Sequence, residues 1–82
     1  MPYVDPKVRK VLDYIVAEMG YQIVCDGDLN YVLFTFCKRY IKPSYKNYKN
    51  YIGELNECVA EIRRRLLAPY EDQKIKENGD VT

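Results

Sequence analysis

Histidine is absent from the 82-residue sequence, and this absence restricts the function more than any other feature of the composition. Histidine is the usual general base near neutral pH and the commonest metal ligand in proteins. A zinc site would have to rest on three scattered cysteines and on carboxylates. The sequence also lacks the motifs of nucleotide-binding loops, metalloproteases, serine hydrolases and calcium loops. We therefore expect a protein that is not an enzyme and has no cofactor.

Long apolar runs and a secretory signal are missing too. No stretch reaches the roughly eighteen apolar residues of a membrane span, and no basic segment followed by an apolar one opens the chain. The three cysteines, Cys25, Cys37 and Cys58, are odd in number and form no C-x-x-C pair. Such cysteines are typical of reduced thiols in the core of a cytosolic protein. We expect a cytoplasmic protein that does not contact a membrane.

The length of the chain limits its stability. Hydrophobic residues make up 48% of the sequence and charged residues 30%, which is the composition of a folded protein rather than a disordered one. A single core in a chain this short supplies only a few kcal/mol of net stability. Association into an oligomer is therefore expected from the start.

The spacing of the apolar residues predicts an all-α fold. The predicted elements are a three-helix bundle and a short C-terminal helix within one domain (1–82), with helices at about 5–24, 28–42, 46–68 and 69–78. The first helix starts at Asp5, which can accept a hydrogen bond from a free N–H, and Pro6, which fixes φ at the first helical position. We extend it past Gly20 because the apolar spacing continues to Ile23.

The Asp-Gly-Asp segment at 26–28 is the strongest break in the chain, and it allows two interpretations. As a hairpin turn it would join strands at 21–25 and 31–37, since Asp-Gly between apolar runs is typical of hairpins. As a turn between helices it would place Asp28 at the cap of the second helix. Helical spacing persists over 29–41, which is long for a strand and favours the helix.

The clearest pattern is a heptad seam in the third helix, in which apolar residues are separated alternately by three and four positions. The seam consists of Tyr45, Tyr48, Ile52, Leu55, Val59, Ile62 and Leu66. Its flanks contain no acid, so a parallel pair of such helices would set base against base. These flanking residues are Lys49, Tyr51, Asn56, Cys58, Arg63 and Arg65. The pattern favours a seam that packs within the domain, or antiparallel to another helix.

Two further residues, Gly53 and Pro69, affect the prediction of the third helix. Gly53, next to the seam, is either a neutral surface residue or a point where another helix comes close. Pro69 is expected to end or kink the helix. The residues after it carry acids first, bases later and Gly79 last, which is the charge order of a short helix. That helix has little to bury and would be held weakly, with a frayed end at 80–82.

Between Leu29 and Gly53 the chain has no Asp or Glu, and basic residues alternate with tyrosines. Cations bind phosphate oxygens and tyrosine rings stack on bases, so this composition is typical of a surface for nucleic acid or a phosphorylated ligand. The alternatives are a solvated basic face, which the net charge of only +1 favours, and a surface for an acidic protein partner. The candidate residues, including a second basic cluster, are Lys38, Arg39, Lys42, Tyr45, Lys46, Lys49, Arg63 and Arg64.

The acidic residues of the third helix do not indicate a catalytic or metal-binding site. Glu54, Glu57 and Glu61 lie on its outward side, and a dimetal site would need histidine partners that the chain lacks. We interpret them as solvated helix surface, with Glu61 and Arg65 forming a favourable pair four residues apart.

Three stretches carry a family resemblance: the opening at 1–4, the segment at 27–31, and A-P-Y-E-D-Q-K-I-K-E-N-G-D-V at 68–81. They resemble an uncharacterised family of small proteins from bacteriophages and prokaryotes. The resemblance implies an intracellular origin, in the host cytoplasm if the protein is encoded by a phage, and it implies no activity. It makes the C-terminal motif a further candidate partner surface, formed by Tyr70, Glu71, Asp72, Asn78 and Asp80.

We therefore predict a non-enzymatic, helical interaction protein that forms homo-oligomers. The second helix is apolar around much of its circumference, so it must be covered by neighbouring helices or by another chain. The alternative hypothesis is a binder of nucleic acid or a small phosphorylated ligand through the Lys/Arg/Tyr surface.

Overall fold

The structure, a computed structural model, describes residues 4–80, and every regular element in this range is a helix. Its elements are α1 (Pro6–Gln22), α2 (Asp26–Tyr40), α3 (Tyr45–Ile62), a π-helical turn (Arg63–Leu67) and α4 (Ala68–Asn78). The last three follow one another without a break. Residues 4–80 contain no strand, so the all-α prediction is confirmed and the hairpin interpretation of 21–37 is wrong.

Helix α1 begins where the sequence predicts. The Oδ1 atom of Asp5 accepts a hydrogen bond of 2.8 Å from the backbone N–H two residues later, and Pro6 occupies the first turn. The helix passes Gly20 and ends at Gln22, two residues before the expected end. The N–H of Ile23 closes it by donating to a carbonyl four residues back at 2.8 Å.

Helix α2 begins at Asp26, two residues earlier than predicted, so the expected break lies inside its first turn. Asp28 is therefore not the cap but the third helical residue, and its carboxylate reaches back to the incoming chain. Its Oδ2 atom accepts hydrogen bonds from the N–H of Val24 at 2.9 Å and the N–H of Cys25 at 3.2 Å. These hydrogen bonds, that from Val24 first, lower the pKa of Asp28.

Replacing Asp28 by Asn should remove a pH-dependent contribution to stability. A carboxyl group whose pKa is lowered on folding stabilises the folded state above its ordinary value of 3.8, and the contribution is lost as the pH falls through the folded-state value. We expect the variant to unfold at lower urea concentration than the wild type at neutral pH, and the difference to disappear in strong acid. Circular dichroism across this pH range measures both.

The matched control for this prediction is Asp26→Asn. Asp26 lies in the same first turn, and within residues 4–80 its side chain forms no hydrogen bond. An equal loss of stability in the two variants would contradict the role assigned to Asp28.

Helix α3 is capped by Ser44, at the end of the α2–α3 connection. The Oγ atom of Ser44 accepts a hydrogen bond of 3.0 Å from the N–H of Asn47, which is the usual N-cap geometry. The side chain of Asn47 in turn donates to the carbonyl of Lys42 at 3.0 Å. Pro43 disfavours helical angles in the residue before it. The heptad helix predicted from about 46 thus begins at Tyr45.

Pro69 does not end the third helix. Proline lacks an N–H, and its ring meets the carbonyl four residues earlier in a regular α-helix. The chain widens just before it into the π-helical turn, where the N–H of Ala68 donates to the carbonyl of Arg63, five residues back. The helices predicted at 46–68 and 69–78 therefore form one element.

The C-terminal end of α4 agrees with the sequence. Gly79 has a φ of 82°, and its N–H donates to the carbonyl of Ile75 at 2.8 Å. A positive φ of this size favours glycine, so this residue ends the helix as expected. The predicted frayed residues 81–82, like residues 1–3, lie outside the described part.

The described residues form two units, 4–48 and 49–80. The first contains α1, α2 and the first turn of α3, and its two complete helices do not pack along each other. The second contains the rest of the long helix, from Lys49 to Asn78, and the two residues that follow it, Gly79 and Asp80. No described side chain in either unit is buried. The single-domain organisation stays a prediction.

The exposure of the side chains corrects two expectations. The seam does not form a buried core in this chain, because Ile52 is 55% exposed and Val59 and Ile62 are each 48% exposed. The cysteines are not core residues either: Cys25 and Cys58 are exposed, and the third is half-buried. Seven heptad-spaced residues specify an apolar face, but the spacing does not say which chain covers that face.

Candidate interaction surfaces

The first unit gathers four basic side chains around the α2–α3 connection, and we call them the basic segment: Lys38, Arg39, Lys42 and Lys46. The first two lie in the last turn of α2, where positive charge favourably opposes the helix dipole. Lys46 lies in the first turn of α3, where the dipole disfavours positive charge. Among residues 4–80 none of the four side chains has an ion-pair partner. Their charge is available to a ligand.

The tyrosines of this region are exposed rather than packed. Tyr45, expected on the seam, exposes 80% of its surface, while Tyr48 exposes about half as much. The ring of Tyr40 lies 5.6 Å from that of Phe36, with the ring planes tilted by 40°. Lys49, the last predicted member of the basic surface, falls in the second unit.

The arginine cluster is largely satisfied by one carboxylate. Both Oε atoms of Glu61 lie 3.1 Å from the guanidinium of Arg64, and Arg65 lies 3.5 Å from the same group. The predicted pair of Glu61 and Arg65 is thus confirmed. Because Arg64 already binds a carboxylate, it is a weaker candidate for a ligand than the sequence suggested. Arg63 has no ion-pair partner within residues 4–80.

The C-terminal motif lies on the exposed surface of α4. The Nζ atom of Lys74 sits 5.6 Å from the ring centroid of Tyr70 and 3.3 Å from Glu77. Glu71 and Asp72, next to Tyr70, are exposed and form no ion pair with any described residue. The motif thus presents an aromatic ring beside two available acids.

The seam is the most extensive apolar surface of the second unit. Besides Ile52, Val59 and Ile62, it includes Leu66, which is 66% exposed, and Leu55, which is half-buried. The sequence revealed these positions but assigned them to an internal core. The available signal that the seam faces outward was the lack of acidic residues in its flanks. This lack already disfavoured a parallel pair of such helices.

Gly53 lies beside this seam in open space. A Cβ atom added to Gly53 would meet nothing within 4 Å. Glycine within a helix costs roughly 0.5–1 kcal/mol relative to alanine. We expect Gly53→Ala to raise the free energy of unfolding by about this amount in urea denaturation.

Gly20→Ala in α1 is the control for this expectation, because Gly20 also has open space around its Cβ position. A gain in Gly20→Ala together with a loss in Gly53→Ala would instead reveal close approach by another helix at Gly53.

A groove in the first unit was not anticipated from the sequence. It encloses about 410 Å³ and is lined by Tyr14, Ile15, Glu18, Met19, Gln22, Ile23 and Val32. At its rim the side-chain amide of Gln22 donates to Glu18 at 3.1 Å. The helical spacing of apolar residues that predicted α1, and that continues to Ile23, was the available signal.

The described side chains offer no metal site. No three Cys, Asp or Glu side chains within residues 4–80 converge so that they could hold a metal ion. The helices of this region are also each too short or too polar to cross a bilayer. The arrangement of charges and apolar faces can support binding.

Comparison with known proteins identifies the family. A family model described as a domain of unknown function (DUF6899) matches residues 1–81. The chain belongs to this family. No curated protein and no solved structure matches the chain. The result agrees with the resemblance to an uncharacterised family, and it assigns no role to any residue.

Proposed function

We propose that this protein is a non-enzymatic interaction protein that assembles with copies of itself. The supporting observation is that no side chain in residues 4–80 is buried, although 48% of the chain is hydrophobic.

A second copy is the partner that best fits this surface. A heptad seam is self-complementary, because the same spacing on two helices interlocks side chain by side chain. The net charge of +1 imposes little repulsion between copies. Copies of the same chain are present together wherever the protein is made. A second copy is therefore always available to cover the apolar surface.

Multi-angle light scattering tests this proposal. We expect a mass of at least twice that of one chain, with dissociation only on strong dilution. A monomer at the highest soluble concentration, with helical circular dichroism retained, would overturn it. Sedimentation velocity is an independent measurement of the same mass, and it also separates dimers from larger assemblies.

The proposal includes an origin and a location. A phage or prokaryotic origin is supported by the C-terminal stretch at 68–81, on which the family resemblance chiefly rests. A cytoplasmic location is supported by three cysteines that form no disulfide within residues 4–80.

A second candidate function is binding of nucleic acid or a small phosphorylated ligand. It is favoured by the basic segment, whose four charges have no ion-pair partner among the described residues and lie in a stretch without acid. Tyr45 lies nearby and exposes 80% of its surface.

Charge reversal at Lys42 and Lys46 tests the second candidate. We expect wild-type binding of a fluorescent single-stranded oligonucleotide to weaken with salt, and the slope of log K against log[salt] to fall by about 0.7 for each lost phosphate contact. Lys10→Glu on α1 is the control and should leave binding unchanged. Binding that ignores salt, or that survives the double reversal, would reject this function.

A further inference from the structure

The C-terminal end of α4 places the only asparagine–glycine pair of the sequence on the surface. Asn78 is the last residue of α4 and Gly79 follows it, and both are exposed. Within residues 4–80 the side chain of Asn78 forms no hydrogen bond. The side-chain amide is therefore free to turn toward the backbone that follows it.

An asparagine side chain can lose its amide by reaction with the next backbone nitrogen. The nitrogen of Gly79, once its proton has passed to a base in the solvent, attacks the side-chain carbonyl carbon of Asn78. A C–N bond forms, the side-chain nitrogen takes up a proton and leaves as ammonia, and the product is a cyclic imide. Water then opens this ring at either carbonyl, which leaves aspartate or its β-linked isomer. The net reaction consumes water, releases ammonia and changes no oxidation state.

Glycine favours this reaction because it has no side chain to hinder the attacking nitrogen. The other asparagines of the sequence are each followed by tyrosine or glutamate, and each lies within a helix. These residues are Asn30, Asn47, Asn50 and Asn56. The chain thus contains one reactive pair and its own internal controls.

The end of α4 restrains the attacking nitrogen. The N–H of Gly79 donates to the carbonyl of Ile75 at 2.8 Å, so the nitrogen is hydrogen-bonded in the folded helix. The cyclic imide also fixes ψ of the asparagine outside the helical range, whereas Asn78 belongs to α4. The last turn must therefore open before the ring closes. Terminal turns of exposed helices open at little cost in free energy.

We propose that Asn78 is a site of spontaneous deamidation, and that the opening of the last turn of α4 controls its rate. The reaction needs only water and a base from the solvent. This modification is independent of the proposed self-association.

Deamidation changes the charge of the C-terminal motif. Aspartate at position 78 adds a negative charge at the C-terminal end of a helix, where the helix dipole disfavours it. The new charge joins Glu71 and Asp72 on the candidate partner surface of α4. The β-linked isomer also adds one carbon to the main chain, which interrupts the helical geometry. The end of α4 thus becomes looser and more acidic as the chain ages.

Peptide mapping of the full-length protein tests the site. The chain is incubated at neutral pH in buffer and in guanidinium chloride, and the acid formed at each asparagine is measured by mass spectrometry. We expect conversion at Asn78 under both conditions and far less at the internal controls. In buffer the reaction should be slowed about two- to tenfold, because only a terminal turn has to open. In Asn78→Gln the conversion should disappear, since the longer side chain closes the ring slowly.

Lys76→Gly tests the control by the helix end. Lys76 lies in the last turn of α4, and glycine weakens a helix relative to lysine. Conversion at Asn78 should be about three- to fivefold faster in buffer and unchanged in guanidinium chloride. Hydrogen exchange of the Gly79 N–H should accelerate by the same factor. Lys10→Gly makes the same exchange in α1, which belongs to the first unit, and should leave both rates unchanged.

Three results would contradict this assignment. No conversion in buffer, after the unfolded chain has reacted completely, would show that the end of α4 does not open. Equal rates in buffer and in guanidinium chloride, or in Lys76→Gly and the wild type, would reject control by the last turn. Comparable conversion at Asn78 and at the internal controls would show that the glycine pair is not a selective site.

Discussion

The variant Val59→Asp is expected to be a monomer at concentrations at which the wild type is assembled. Val59 lies at the middle of the seam, and in the proposed assembly it is covered by the opposite helix. An uncompensated carboxylate in such a contact costs about 3–5 kcal/mol, which lowers the association constant more than a hundredfold. Sedimentation equilibrium of the two proteins at matched concentrations measures the change.

Ala60→Asp is the control for this substitution. Ala60 is the next residue along the helix and lies off the seam, where aspartate meets water. Its helix propensity cost is larger than that of Val59→Asp, since alanine is the best helix former and valine is not. Dissociation of Ala60→Asp, or an intact assembly in Val59→Asp, would show that the seam is not the contact.

Replacing Pro69 by Ala should affect the helix and the assembly in opposite directions. Proline within a helix is about 3 kcal/mol less favourable than alanine, and the π-helical turn absorbs part of this cost. We expect Pro69→Ala to raise the urea midpoint of the helical signal under dilute conditions. The extra residue of the π-helical turn shifts every later position by one, which brings Leu67 and Tyr70 into line with the seam. Without proline the turn can return to regular α-helix, which moves both residues out of line. The association constant should therefore fall.

Pro43→Ala separates this effect from a general effect of proline. Pro43 lies in the α2–α3 connection, outside any helix, where it restricts the unfolded chain. Its loss should lower stability by about 0.4–1 kcal/mol, the sign opposite to that expected for Pro69→Ala. Tighter association of Pro69→Ala would show that the π-helical turn does not serve the contact.

Local signals in the sequence were sufficient to locate the helices. The side-chain oxygen of Asp5 and the fixed φ of Pro6 act on their nearest neighbours, so the start of α1 was predictable. Gly79 marked the end of α4 for the same reason. Asp28 was recognised as important but was assigned to the N-cap instead of the third helical position, because a carboxylate satisfies free N–H groups from both places alike.

Two features of the fold could not be predicted because they depend on more than neighbouring residues. Proline usually ends a helix, and the sequence near Pro69 does not reveal that a wider turn accommodates it. The exposure of Val59 and Ile62 depends on which chain covers them, and a heptad pattern is the same for internal and external partners.

The residues of the candidate surfaces could be predicted from the sequence. Which of their charged side chains already bind a neighbouring residue could not. The lysines near the α2–α3 connection could be identified from a stretch without acid, and Lys42 and Lys46 lack ion-pair partners among the described residues. Arg64 looked equivalent in the sequence, yet the structure places it on Glu61. Side chains three residues apart on a helix meet only in certain rotamers, which the sequence does not fix.

The absence of buried side chains in residues 4–80 has a consequence for the protein in the cell. If apolar surface is covered only on assembly, the stability of each chain depends on how many copies surround it, and the melting temperature rises with protein concentration. Newly made chains at low abundance would then be open to proteolysis, whereas chains above the dissociation constant would be protected. Expression level would act as a threshold below which the protein does not accumulate.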